Sequence, residues 1–279
     1  MAIDAQSLGY ETPPIDFNYT WRDTVMYALG VGASADTELD YLYEGRGPKV
    51  LPTFCTIPTF AVFDTLVDRI GCDRRGMVHH SQQIDVFKPL RPNARLRVTG
   101  TVAGLYDLKR VAISVFSIDA YDENEDLIIR GEVTLLLRND GRFGGERPPK
   151  TERVTTPERD PDFEVHDQVG PAQALLYRLS GDYNPLHADP DFAAEAGFER
   201  PILHGLCTYG YAGRAVVKSA GGGDPGALAM LRGQFSNPVF PGDTLIIRGW
   251  DEGERVILGV TTKERPDKPC LSNAYAVLR

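Results

Sequence analysis

The chain repeats itself at an interval of about 150 residues, and a duplicated unit narrows the folds open to it more than any other feature. Pro89-Leu90-Arg91-Pro92 followed by Leu96 is answered by Pro238-Val239-Phe240-Pro241 followed by Leu245, a shift of 149. Tyr27-Ala28-Leu29 returns as Tyr177-Arg178-Leu179 at 150, and Cys55-Thr56 as Cys207-Thr208 at 152. Each match alone is weak. Three in the same order, drifting by only a few residues across half the chain, describe two copies of one unit.

A length of 279 residues accommodates two such units of about 140, each large enough to bury a core. Hydrophobic residues make up 42% and charged residues 25%, an ordinary soluble composition, and the net charge of -9 argues against a general nucleic-acid binder. Cys55, Cys72, Cys207 and Cys270 form no CxxC pair and lie at no zinc-like spacing, so reduced core thiols of a cytoplasmic protein are expected. The opening MAIDAQSLGYETPP has neither a basic nor an apolar signal region, no apolar run reaches membrane-spanning length, and the closing AVLR is not an SKL-type address.

Within each copy the pattern runs from helix to strands. In the second copy, Asp189 as N-cap, Pro190 at the first position and Gly197 as the stop predict a short helix over 190–196. A longer one is predicted from Gly205 to Ala220, with Tyr209, Ala212, Ala215 and Val216 on one stripe. Strands follow at 228–235, 244–250, 255–262 and 272–278. In the first copy a long apolar helix is predicted over 59–70, then strands at 81–87, 95–105, 110–121 and 127–137. One long helix followed by antiparallel strands gives an α+β unit, a sheet curled around a helix, present twice. The polar stretch between the copies divides the chain into 1–145, a linker 146–161, and 162–279.

The chemistry concentrates in the second copy. Asp182 and His187 are five residues apart, and Asn184-Pro185 forces an extended or turned backbone between them. A lone aspartate or histidine in a loop usually caps a turn. A carboxylate and an imidazole brought into one cleft suit general acid–base work on a water molecule. Gly205, at the predicted helix start, allows close approach to a backbone N–H where the helix dipole is positive, a place for an oxyanion. In the first copy Asp182 is matched by Gly32, His187 by Thr37 and Gly205 by Thr53, so only one half is equipped. A zinc site from Asp182, His187, Asp189 and His204 is disfavoured because no HxxxH or HExxH pair sets two imidazoles on one helix face. Cys207 and Ser180 sit in no nucleophile elbow, and His166 reads as a surface residue.

The stretch Tyr177–Gly210, YRLSGDYNPLHADPDFAAEAGFERPILHGLCTYG, closely resembles the hydratase 2 motif of the MaoC-like (R)-specific 2-enoyl-CoA hydratases, the family that includes the hydratase part of peroxisomal multifunctional enzyme type 2. Tyr19-Thr20-Trp21-Arg22-Asp23, Val78-His79-His80-Ser81-Gln82, Gly141-Arg142-Phe143-Gly144-Gly145 and Pro238-Val239-Phe240-Pro241-Gly242 extend the likeness over nearly the whole chain. The resemblance implies a double hot dog fold and reversible hydration of trans-2-enoyl-CoA to (3R)-3-hydroxyacyl-CoA. It implies Asp182 and His187 as the catalytic pair around one water, Asn184 positioning them, and the Gly205 amide on the thioester oxygen. It further implies Tyr177, Tyr183, Pro185, Leu186 and Phe235 as substrate-binding residues, with Tyr177 and Phe235 lining the acyl pocket. His79, His80 and Lys109 match the segments by which the other half helps bind acyl-CoA, although His79-His80-Ser81-Gln82 replaces the usual His-Gly-Glu-Gln.

No cofactor is implied, since CoA belongs to the substrate, and a homodimer is the family expectation. A half without reactive groups can open into a larger acyl pocket, which points to medium, long or bulky chains. The competing readings are an acyl-CoA thioesterase, because the same fold hosts that activity, and a non-catalytic acyl-CoA-binding protein. A dehydratase working on a carrier-protein thioester is a variant of the first reading.

Overall fold

The computed structural model describes residues 3–279. In chain order the elements of the first half are β1 (Ile15–Tyr19), α1 (Trp21–Gly30), α2 (Thr56–Phe60), α3 (Phe63–Ile70), β2 (Met77–Val86), β3 (Ala94–Asp107), β4 (Ala112–Tyr121) and β5 (Leu127–Leu137). The second half contains β6 (Phe163–Gln168), α4 (Gln173–Tyr177), α5 (Pro190–Glu195), α6 (Gly205–Ser219), β7 (Leu228–Phe235), β8 (Thr244–Asp251), β9 (Val256–Thr262) and β10 (Leu271–Leu278). Two compact units result. The first holds residues 3–18, Cys55–Phe87 and Arg95–Arg153; the second holds Tyr19–Phe54, Lys88–Ala94 and Val154–Arg279. The units therefore interleave along the chain, because α1 and the loop after it pack with elements of the second copy.

In the first unit the strands lie in the order β1-β3-β4-β5-β2. β4 alternates buried and half-buried residues along its whole length and pairs antiparallel with β3 and β5. Gly100 and Gly131 let the helical segment lie close on this sheet: a Cβ at Gly100 would come within 2.8 Å of Leu66 and Val62, and one at Gly131 within 3.0 Å of Thr59. The single long helix expected over 59–70 is instead two, α2 and α3, joined at Ala61-Val62. At the break the Ala61 N–H bonds to the Pro58 carbonyl at 3.1 Å, three residues back, and α3 then opens with the Leu66 N–H on the Val62 carbonyl at 3.2 Å.

In the second unit the order is β7-β10-β9-β8-β6, with β10 antiparallel to β7 and β9, and β8 antiparallel to β9 and β6. α6 runs within a residue of its predicted bounds, but it is buried from Leu206 to Val217 rather than along one stripe. Residues 19–54 cover its other faces. A Cβ on Gly210 would meet Val31 and the Tyr27 hydroxyl, and one on Gly213 would meet Thr53. Arg214, 4% exposed, ion-pairs from α6 to Glu38 of this covering segment and to Asp167 of β6 at 2.6 Å. Gln173 donates to the carbonyls of Leu29 and Gly30 at 2.8 and 2.6 Å, capping the end of α1.

The strands β1 and β6 are absent from the sequence prediction. Both stand at the ends of their strand orders, and β6 buries none of its residues fully, so their hydrophobic alternation is faint. Between Leu137 and Phe163 there is no regular element, although Val154 is buried with Trp250 and Ile257 and its N–H donates to Asn273 at 3.1 Å. All four cysteines are free and buried. Among the described residues, no helix is long and apolar enough to cross a membrane.

Candidate active site

Two segments of the second unit build the site. The first is the loop 180–189. The Asp182 carboxylate accepts the Asn184 N–H at 3.2 Å, and the Asn184 side chain accepts the Leu186 N–H at 3.0 Å. Asn184 thereby caps the single turn Pro185–His187, with proline at its first position. Asn184 in this way shapes the turn that carries His187. Asp189 closes the loop by capping α5 through the N–H groups of Asp191 and Phe192. The second segment is the approach to α6, where His204 is the N-cap and Gly205 the first helical residue.

The segments are joined by their imidazoles. His187 Nδ1 lies 2.9 Å from the carbonyl of Ile202, and His204 Nε2 lies 3.1 Å from the carbonyl of Asp182. A carbonyl only accepts, so each of these nitrogens carries its proton. The two rings stack with centroids 3.7 Å apart and planes at 27°. The Tyr177 ring, also buried, lies 4.9 Å from His204. His204 Nδ1 is buried without a hydrogen-bond partner.

A ring nitrogen of each histidine and a carboxylate oxygen of Asp182 lie within 4.8 Å of one another. A spacing of that order lets one water oxygen bridge two such groups with hydrogen bonds of normal length, about 2.8 Å each. The set fits a cation less well. In closely stacked rings the in-plane lone pairs run side by side, whereas tetrahedral ligation needs them to converge.

Burial is the main influence on both histidines, and it favours the neutral form. His187 is held below its ordinary value by burial, with the Ile202 contact and the Asp182 charge working in the opposite direction and Arg178 adding to the lowering. His204 is pushed down to about 3 by burial, by His187 and by Arg178, against the Asp182 carbonyl contact. In neutral His187 the proton sits on Nδ1, so Nε2 presents a bare lone pair, as a general base requires.

Gly205 and Phe235 are in close contact. A Cβ on Gly205 would stand 2.9 Å from Cδ1 of Phe235, so the glycine admits the ring, and its N–H is one of the donors without a partner inside the helix. The first-copy counterparts have been turned to packing. Gly32, matching Asp182, has φ +78°, and a Cβ there would fall 2.3 Å from the Tyr211 ring. Thr53, matching Gly205, presses on Gly213 of α6. A carboxylate cannot occupy position 32 without displacing Tyr211.

Tyr183 is largely exposed, with the Arg178 guanidinium 5.5 Å from its ring centre, and Pro185 and Leu186 lie on the capped turn. His79, His80 and Lys109 belong to the first unit. His79 and His80 are half-buried on β2, and the pairing with β5 shifts register between His79 and Ser81, making His80 the extra residue of a bulge. Lys109 is exposed at φ +70°, its N–H bonded to Asp107 at 2.7 Å. His166 is half-exposed against Glu164, as a surface residue should be. The Cys207 thiol donates to the Gly30 carbonyl at 3.2 Å, and burial raises its pKa, so it is no nucleophile. Sequence reasoning missed Arg178, which also donates to the Tyr183 carbonyl at 3.1 Å, and saw His204 only as a metal ligand to be set aside. The adjacency of His204 to Gly205 was the one available signal.

Two curved α+β units, one carrying an acid, an imidazole and a helix-start glycine, define the class of double hot dog dehydratases and hydratases. Residues 152–268 match the MaoC-like domain model and residues 17–139 the MFE-2 hydratase 2 N-terminal domain model. The chain is 39% identical over 278 residues to peroxisomal enoyl-CoA hydratase 2 of Arabidopsis thaliana, covering 92% of this chain and 90% of that one. A MaoC-like dehydratase from Phytophthora capsici superposes with a TM-score of 0.88 at 29% identity, over 99% and 98% of the two chains. A Mycobacterium tuberculosis protein described as a double hotdog fold aligns with a TM-score of 0.57 at 13% identity, over 98% and 97%, a likeness of fold alone. The chain belongs to the MaoC-like hydratase 2 family.

Proposed function

We propose that this protein hydrates trans-2-enoyl-CoA thioesters reversibly to (3R)-3-hydroxyacyl-CoA. The observation that carries the reading is the tautomer of His187. Its Nδ1–H is committed to the Ile202 carbonyl, leaving Nε2 as the nitrogen able to act as a base, on a ring that clusters with the Asp182 carboxylate. A water between them gives one hydrogen bond to Nε2 and one to the carboxylate, and its oxygen lone pair is free to attack C3.

As the O–C3 bond forms, the C2–C3 π pair moves toward the thioester and Nε2 takes the water's proton. The thioester oxygen gains enolate character and is held by the Gly205 N–H at the positive end of α6. The new imidazolium is stabilised by Asp182 and returns its proton to C2 on the same face. Water is consumed whole, H to C2 and OH to C3, and the reverse sequence dehydrates the product.

The step requires no separate cofactor, since CoA arrives with the substrate. Tyr177 and Phe235 would border the acyl group, and His79, His80 and Lys109 would serve CoA and acyl binding in the other half. Medium, long or bulky chains are the expected substrates, because the first copy carries no reactive groups of its own. A homodimer is the expected assembly. The four buried free thiols support a reducing compartment such as the cytoplasm, although the Arabidopsis relative is named peroxisomal.

Asp182→Asn tests the reading. Hydration measured by loss of the enoyl-thioester ultraviolet absorbance should fall by about 100-fold or more in kcat. Full activity in this variant, or release of free CoA thiol by the wild type in place of hydration, would sink the assignment.

A further inference from the structure

The two imidazoles form a reciprocal clasp. His187, on the Asp182 loop, donates to a carbonyl of the α6 approach, and His204, on the α6 approach, donates back to the carbonyl of Asp182 itself. Between these two bonds the rings lie face to face, 3.7 Å apart. His204 is 1% exposed, with Tyr177 packed near it. Gly205 follows it directly, so one residue touches or adjoins each part of the site: the backbone of Asp182, the ring of His187 and the oxyanion glycine.

We infer that His204 is a positioning residue of the hydration reaction, holding Asp182 and His187 at working distance while its own ring stays neutral throughout the cycle. This rests on the proposed hydratase reading. Two features require neutrality. A protonated ring stacked on His187 would oppose the imidazolium that forms there. It would also place a second cation in a pocket that Arg178 already makes unfavourable to positive charge. The titratable and charged groups facing His187 are Asp182, Arg178 and His204. His204 differs from an acid or base because its one free lone pair, on Nδ1, is buried and its N–H is spent on Asp182.

The test pairs two substitutions. His204→Phe keeps a flat ring against His187 and removes the donor; His204→Gln keeps a donor near the Nε2 position. In His204→Phe, kcat should fall by about 100-fold with KM within about threefold, as expected of misplaced catalytic groups. The acid limb of the kcat/KM profile should also move to higher pH as His187 loosens toward water. His204→Gln should restore the limb and most of kcat. Wild-type kcat and limb in His204→Phe, or equal impairment of both variants, would overturn the inference.

Nitrogen-15 NMR of the unmutated protein gives a reading that does not depend on how the variants fold. His204 should remain an Nε2–H tautomer from pH 5 to pH 9, and His187 an Nδ1–H tautomer above its titration. A titrating or Nδ1-protonated His204 would refute the clasp. Should the wild type fail to hydrate enoyl-CoA, the hydratase reading falls, while the NMR result still judges the clasp.

Discussion

His204 couples the stability of the second unit to pH, and the effect can be sized. Its ordinary value is 6.5 and in the fold it is pushed down to about 3. As the pH falls through 6.5 the unfolded chain takes up a proton here that the folded chain refuses. The contribution of this residue is therefore intact above about pH 6.5 and is lost progressively toward pH 3. At pH 5 the unfolded state is almost fully protonated at this site and the folded state is not, which amounts to about 2 kcal/mol lost relative to pH 7.5. Glutamine cannot titrate, so His204→Gln lacks this term. Surface carboxylates that disfavour acid, Asp73, Asp107, Asp162 and Glu164, act in both proteins and cancel in the difference. The assay is urea unfolding at pH 7.5 and pH 5.0, followed by tryptophan fluorescence. Both tryptophans, Trp21 and Trp250, lie in the second unit and so report on the part that contains His204. The stability gap between variant and wild type should shift toward the variant by about 2 kcal/mol on acidification. Parallel behaviour of the two proteins across this range would refute a buried, unprotonated His204.

Arg214→Met removes the cation that Glu38 and Asp167 share, leaving a buried carboxylate without its partner. It should cost about 3–5 kcal/mol in urea unfolding, far more than an exposed pair such as Arg46–Asp40 would. Gly205→Ala should reduce kcat at least about tenfold, because the added methyl must push the Phe235 ring or tilt the first turn of α6 away from the thioester oxygen. Adding Phe235→Leu should recover part of the loss. No recovery would place the effect in backbone conformation rather than in contact with the ring.

What was legible in the sequence was mostly local. Asp189, Pro190 and Gly197 mark a short helix because capping chemistry is written in adjacent residues, and the structure finds α5 between those signals. The strands of both copies were legible from alternation, which β4 follows residue by residue. The edge strands β1 and β6 were not, since residues that bury little leave little pattern. The break at Ala61-Val62 escaped because hydrophobic periodicity runs on across the junction and does not register where backbone bonds change partner. Asp182, His187 and Gly205 could be picked out as candidates from their types and spacing, whereas the role of Asn184 came only from the family resemblance. The clasp could not, because the bond from His204 to Asp182 spans 22 positions and is decided by where α6 begins. The match of Gly32 to Asp182 suggested a lost active site, and only the Tyr211 ring beside it shows what the position does now.

The most direct test of the central claim is stereochemical. Purified protein is incubated with crotonyl-CoA and, separately, trans-2-decenoyl-CoA; loss of enoyl-thioester absorbance is recorded, and the 3-hydroxyacyl product is resolved on a chiral column. Turnover that favours the decenoyl substrate and yields the 3R alcohol is the predicted result. A 3S product, or no hydration of either thioester, would contradict the claim that Asp182 and His187 deliver one water to C3.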